Sequence, residues 1–256
     1  MTTSERRVII HPDTDALVGS VAARSITKLV DLLDENDEAH IVLTGGGMGE
    51  ATQRAIRDSS ARSTVDWTRV HFWWGDERFL PVGHPDRNET QARSAILDVL
   101  PTPESHIHPF PASDQIADID EAAAAYADQL VLAASEGKSL PRFDILFLGV
   151  GPDGHVASLF PERDLNAGDK TVVAVRNAPK PPPDRLSLTL PALNSAERTF
   201  LVLAGADKAP ALGLALAGAT ANEVPAAGIR GRRRTVFFVD QAAAADVPEN
   251  LIASSY

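Results

Sequence analysis

Asp153 and His155 stand one residue apart in the stretch LGVGPDGHVASLF, residues 148–160. Histidine is the side chain whose proton exchanges most readily near neutral pH, and a carboxylate two positions away in a tight glycine-containing turn can orient the imidazole for general-base work. The same stretch satisfies G-x-G-x-x-G, the spacing of a dinucleotide-binding turn. That reading needs a long helix from the third glycine and a carboxylate at the end of the next strand. Pro161 follows Gly154 too closely for such a helix, and Asp169 precedes the next apolar run instead of ending it. No dinucleotide or other cofactor is expected. Pro, Asp and Gly are also ordinary turn residues, so this loop alone leaves a catalytic turn and a plain structural turn equally open.

Three further polar clusters follow apolar runs. After IVL come Thr44, Gly45, Gly46 and Gly47, which lack the Gly-Lys-Ser/Thr of a nucleotide loop but offer backbone N–H groups ahead of a helix over 50–57. A tight strand-to-helix turn explains the glycines equally well. After VHFWW come Gly75, Asp76, Glu77 and Arg78, whose charges suit catalysis or form an exposed ion pair. After TFLVL comes GADK, with Lys208 at a predicted helix start, where a cation is unfavourable unless something negative sits beside it. Arg185 ends the Pro-rich segment APKPPPD, read as a surface loop. None of the remaining histidines has H-x-x-x-H or H-E-x-x-H spacing. His106-x-His108 could pair on a metal, but a loop or strand-face role is favoured and no metal site is expected.

The elements that must position these groups alternate. Runs over 7–10, 40–43, 70–74, 144–148, 171–175, 186–190, 199–203 and 235–239 read as strands, several apolar on both faces. Helical patterns fill 15–33, 88–100, 119–134 and 208–217. The expectation is an α/β fold, Rossmann-like, with a mostly parallel central sheet flanked by helices on both faces. Ligands of such sheets bind outside the carboxyl ends of the strands, so the four clusters should converge on one crevice.

Composition sets the outer limits. One domain over residues 1–256 is expected, since 256 residues suffice for one large core and no linker is evident. The net charge of −11, from 24 basic against 35 acidic residues, argues against nucleic acid as a partner. RGRRR, residues 230–234, directly precedes TVFFV and reads as a solvated start to a strand. Absence of cysteine fits a reducing compartment, and no signal peptide or membrane-length apolar run is visible, so a cytoplasmic location is expected. The partner in view is a small anionic molecule held by a few local cations; no membrane and no obligate protein partner is indicated.

Taken together, GVGPDGHVASLFP (149–161), GDERFLPVGHPDRN (75–88), RLSLTLPALN (185–194) and GADK (205–208) resemble the 6-phosphogluconolactonase family of the glucosamine-6-phosphate isomerase/deaminase superfamily, over nearly the whole chain. The resemblance implies hydrolysis of 6-phosphoglucono-1,5-lactone in the oxidative pentose phosphate pathway. It implies His155 as general base with Asp153 orienting it, Asp76 and Arg78 in the catalytic centre, and Gly45, Gly46, Gly47, Arg185 and Lys208 as phosphate binders. Two departures stand out. Met48-Gly49 replaces the family's usual Ser/Thr-Pro, and Arg87 replaces the usual serine before Asn88, read as a surface change. The related deaminases carry a glutamate five residues after the histidine; here that position is Phe160, which cannot relay a proton. A non-catalytic sugar-phosphate sensor is a rival of another class, but no DNA-binding or partner segment accompanies the site.

Overall fold

The computed structural model describes residues 5–247. In chain order the strands are β1 (Glu5–His11), β2 (Ala39–Leu43), β3 (Val70–Trp74), β4 (Asp76–Arg78), β5 (Phe143–Gly149), β6 (Val172–Val175), β7 (Arg185–Leu188), β8 (Arg198–Leu203) and β9 (Arg234–Asp240). The α-helices are α1 (Thr14–Glu35), α2 (Gly46–Asp58), α3 (Asn88–Ala95), α4 (Ile119–Leu132), α5 (Leu190–Leu193) and α6 (Ala209–Leu216). Short polar side chains start several of them. Asp13 accepts a hydrogen bond from Ala16 N at 2.8 Å to cap α1, and Asp118 accepts from the N–H groups of Asp120 and Glu121 to cap α4.

Six strands form one sheet in the order β1-β9-β8-β5-β2-β3, every pair parallel. Both faces are covered, which is why the strands read as continuous apolar runs. Successive side chains of β3 make this visible. Trp73 turns toward α4 and meets Tyr126 edge-on at 6.1 Å between rings, while Phe72 turns the other way onto Trp67. β3 lies at the sheet's edge. The segment after the short turn Glu104–His106 passes beside it, with His108 N donating to Phe72 O at 2.9 Å, and covers the middle of that edge.

The second sheet departs from expectation. The runs at 171–175 and 186–190 belong to an antiparallel sheet, β4-β7-β6, beside the parallel one. β4 itself is the DER cluster, expected only as a polar strand end. β7 stops at Leu188 because Thr189 caps α5, its Oγ1 accepting from Ala192 N at 3.3 Å with Pro191 in the first turn. α3 ends at Ala95, short of the expected 100, and a separate tight turn (Leu97–Val99) continues the path.

Arg87 corrects the expectation of a surface change. Its side chain is 1% exposed, and its guanidinium donates to Leu80 O at 3.0 Å, Phe110 O at 2.8 Å and Glu89 Oε2 at 3.0 Å, with Glu77 Oε2 at 3.9 Å. Glu77 is equally enclosed and accepts from the N–H groups of Arg78, Asn88 and Glu89 at 2.7, 2.7 and 2.9 Å. Burial pushes its carboxyl up to about 7, against the pull of Arg87 and of those donors. This network joins β4 to the start of α3. Arg87→Ala should therefore lower stability by about 3–5 kcal/mol, because it strands buried carboxylates. Urea unfolding should show a lower midpoint with an unchanged slope.

Candidate active site

The winding of the chain reverses between β2 and β5: β3 follows outward on one side, β8 and β9 on the other. Connections that diverge from neighbouring parallel strands leave a crevice at their carboxyl ends. A cleft of about 440 Å³ lies there, lined by Gly45, Gly46, Gly47, Asp76, Arg78 and His155, and also by Arg185 and Lys208. Eight of the nine residues singled out from the sequence thus meet around one cavity. The ninth, Asp153, reaches it through His155.

The loop after β5 is a turn with no helix behind it, as the position of Pro161 requires. Gly151 N donates to His155 O at 3.0 Å and Gly154 N to Gly151 O at 2.9 Å. This closure lays the histidine ring back over Gly151, where a Cβ would lie 2.0 Å from His155 Nδ1. Only glycine fits there. His155 Nδ1 lies 2.5 Å from Asp153 Oδ1, so an Nδ1–H directed at the carboxylate leaves Nε2 as the basic nitrogen. Lys180 Nζ sits 3.2 Å from Asp153 Oδ1 and 3.3 Å from His155 Nδ1. Burial holds the imidazole below its ordinary value, the Asp153 bond and charge work upward, and Lys180 pushes it down again. Partial burial would raise the Asp153 carboxyl, but the bonds from His155 and Lys180 hold it below the usual carboxylate range.

Asp76 is buried and bonded to neutral donors: Ser158 Oγ donates to Oδ2 at 2.6 Å and Asn88 Nδ2 to Oδ1 at 3.3 Å. Arg78 forms no side-chain ion pair with Asp76 or Glu77, contrary to the simplest reading of DER; its Nη1 donates to Asp86 O at 2.6 Å. Arg185 is 5% exposed and donates to the carbonyls of Lys180, Pro181 and Pro182, tying down the Pro-rich loop. Lys208 pairs with Asp207 at 2.6 Å, supplying the negative neighbour that its place at a helix start demands.

The glycine cluster also differs from expectation in form. Gly46 and Gly47 are not a loop before the helix but the first turn of α2, with Gly45 in the capping position and no side-chain cap. No acidic residue lies in that turn, so its N–H groups stay available to an anion. At the Met48-Gly49 departure, a Cβ on residue 49 would come 2.3 Å from Thr44 O, so the tight entrance to α2 needs glycine.

Lys180 and Ser158 were missed, and Asn88 was noticed only as part of a motif. Lys180 lies in a segment whose prolines read as a surface loop; only its return along Arg185 brings its amine to the turn that carries Asp153 and His155. Among the described residues no helix is long and apolar enough to cross a membrane.

Over residues 12–238 the chain matches the family described as glucosamine-6-phosphate isomerases/6-phosphogluconolactonase. A 6-phosphogluconolactonase of Streptomyces coelicolor is 47% identical over 250 residues, covering 96% of each protein. One of Mycobacterium tuberculosis is 41% identical over 242 residues, covering 93% of this chain and 97% of that protein. The crystal structure of a 6-phosphogluconolactonase from Thermotoga maritima is similar with a TM-score of 0.80 at 26% identity, covering 93% of this chain and 100% of the other.

The charges around His155 make opposite substitutions move its titration in opposite directions. Lys180→Ala removes a cation that disfavours the imidazolium and should raise the His155 pKa; Asp153→Asn removes its support and should lower it. NMR titration of the His155 ring protons reads both shifts.

Proposed function

The chain belongs to the family of glucosamine-6-phosphate isomerases and 6-phosphogluconolactonases, and we propose that it hydrolyses 6-phospho-D-glucono-1,5-lactone to 6-phospho-D-gluconate in the pentose phosphate pathway, with His155 activating the water. The observation that carries this reading is the Asp153–His155 pair, bonded at 2.5 Å on the wall of the cleft. Asp153 fixes the ring with Nε2 free, and the depressed imidazole pKa keeps that nitrogen unprotonated at neutral pH.

Nε2 takes a proton from water as the water oxygen bonds to the lactone carbonyl carbon, producing a tetrahedral oxyanion. Arg78 and the N–H groups of the strand-end loops stabilise the negative oxygen. Collapse of this intermediate restores the C=O bond and breaks the bond to the ring oxygen, which leaves with the proton held by His155. The product is the open-chain acid, and the base is regenerated. The phosphate is held by the first-turn N–H groups of α2 and the charges of Lys208 and Arg185, which position the lactone from a distance.

Phe160 favours hydrolysis over deamination. Its ring centroid lies 4.9 Å from that of His155, an apolar face where the deaminases keep a carboxyl for proton transfer.

Hydrolysis of freshly made 6-phosphogluconolactone, coupled to 6-phosphogluconate dehydrogenase, tests the proposal. His155→Ala should lower kcat about a hundredfold or more with a modest change in KM. An undiminished rate in that variant would move the base elsewhere. Because the base must be unprotonated, kcat/KM should fall on the acid side with a midpoint below the ordinary histidine value of 6.5. Lys208→Ala should raise KM for the phosphorylated lactone while leaving an unphosphorylated one almost unaffected. Equal losses on both would remove Lys208 from phosphate binding.

A further inference from the structure

Four histidines gather at the amino-terminal end of the sheet, the end opposite the cleft. His40 and His71 are the second residues of β2 and β3 and pair in register. His106 ends the turn Glu104–His106, and His108 lies on the segment covering the β3 edge. Their rings stack. His71 lies 3.8 Å from His106, 4.7 Å from His40 and 5.3 Å from His108, centroid to centroid. The bond between His71 Nδ1 and His108 Nε2 is 2.9 Å long.

Two ring nitrogens in this group are buried and poorly satisfied: His106 Nδ1 has no hydrogen-bond partner, and His71 Nε2 has only the long approach of Glu38. Glu38, just before β2, brings Oε2 to 3.4 Å from His71 Nε2, and one ligand atom from each of Glu38, His71 and His106 lies within 4.8 Å of the other two. Buried polar atoms ordinarily find partners, and two poorly satisfied ring nitrogens close to one carboxylate are an arrangement that a shared cation would complete. We propose that Glu38, His71 Nε2 and His106 Nδ1 form a binding site for a divalent late first-row transition ion such as zinc.

The donor set selects the ion's class. Two imidazoles and one carboxylate suit zinc and its neighbours, whereas magnesium and calcium take oxygen ligands. Bonds of about 2.0–2.2 Å need the three atoms drawn together from within 4.8 Å and the His106 ring turned out of its stack on His71, so that both ring nitrogens point at one ion; Glu38 is exposed and His106 ends a surface turn. The second shell is already built. With a hydrogen on Nδ1, His71 donates to His108 Nε2, which fixes the tautomer that presents Nε2 to an ion. Trp73 Nε1 donates to His40 Nδ1 at 3.2 Å and its ring stacks on His108 at 3.9 Å, holding both flanking rings in place. The rival arrangement puts the hydrogen on His71 Nε2, pointed at Glu38, and leaves no room for a metal. A bound ion would fasten together the start of β2, the edge strand β3 and the turn that leads into its covering segment, without touching the catalytic cleft.

The test is a zinc titration of chelator-stripped full-length protein against a chromophoric competitor, with the melting temperature read on the same samples. One saturable equivalent is expected, with a rise in Tm. Binding should weaken at least about tenfold in both His106→Ala and Glu38→Gln, and should persist in His155→Ala. Melting of the metal-free variants reports whether they fold, and His106→Gln replaces the alanine variant if it does not. No saturable binding, binding that survives both substitutions unchanged, or binding lost with His155→Ala would overturn the assignment.

Discussion

The parallel pairing of β2 with β5 is the constraint from which the rest of the molecule follows. Two strands side by side and pointing the same way cannot share a tight turn, so each must be continued by a separate excursion. Because the excursions diverge here, the backbone opens a gap that no side chain of the sheet fills. Thr44 and the first turn of α2 occupy one lip, the Asp153–His155 turn after β5 the other, and Thr44 Oγ1 accepts from Gly149 N at 3.4 Å across the gap. The small antiparallel sheet closes the side by bringing Asp76 and Arg185 to the same crevice.

An acidic chain that receives an anion has to place its cations without neutralising them. Carbonyl oxygens do this for Arg78, held by Asp86 O, and for Arg185, held by three carbonyls of the Pro-rich loop. A carbonyl fixes a guanidinium in position while leaving its formal charge to act on a ligand. A carboxylate of the same cleft, Asp76, is in turn satisfied by the hydroxyl of Ser158 and the amide of Asn88. Opposite charges therefore share the cleft without collapsing onto one another. Lys208 differs, since its amine rests on Asp207 and has its remaining N–H donors to offer an anion.

The parallel sheet and the four converging clusters were legible in the sequence, because doubly buried strands carry unbroken apolar runs and polar residues followed four of them. Asp153 and His155 were legible for a local reason: their contact spans two residues and is fixed by glycine. What was not legible depends on long-range return of the chain. Runs as apolar as 186–190 carry no mark of whether their partner lies parallel or antiparallel, and β7 found its neighbours in β4 and β6. Lys180 acts on His155 through tertiary folding of the Pro-rich loop, and Arg87 looked solvent-bound because arginine usually is. Its burial could be read only once Glu77 and Glu89 were seen to enclose it.

That enclosure gives position 87 a memory. A guanidinium between two carboxylates is not an independent choice: each of the three side chains is tolerable because the other two are present. Once such a triad is established, replacement at one site alone strands charge in the interior, and a tolerated change needs coordinated replacement at 77, 87 and 89. A single buried cation thus narrows the evolutionary routes open to this corner of the fold, even though no atom of its side chain lines the cleft.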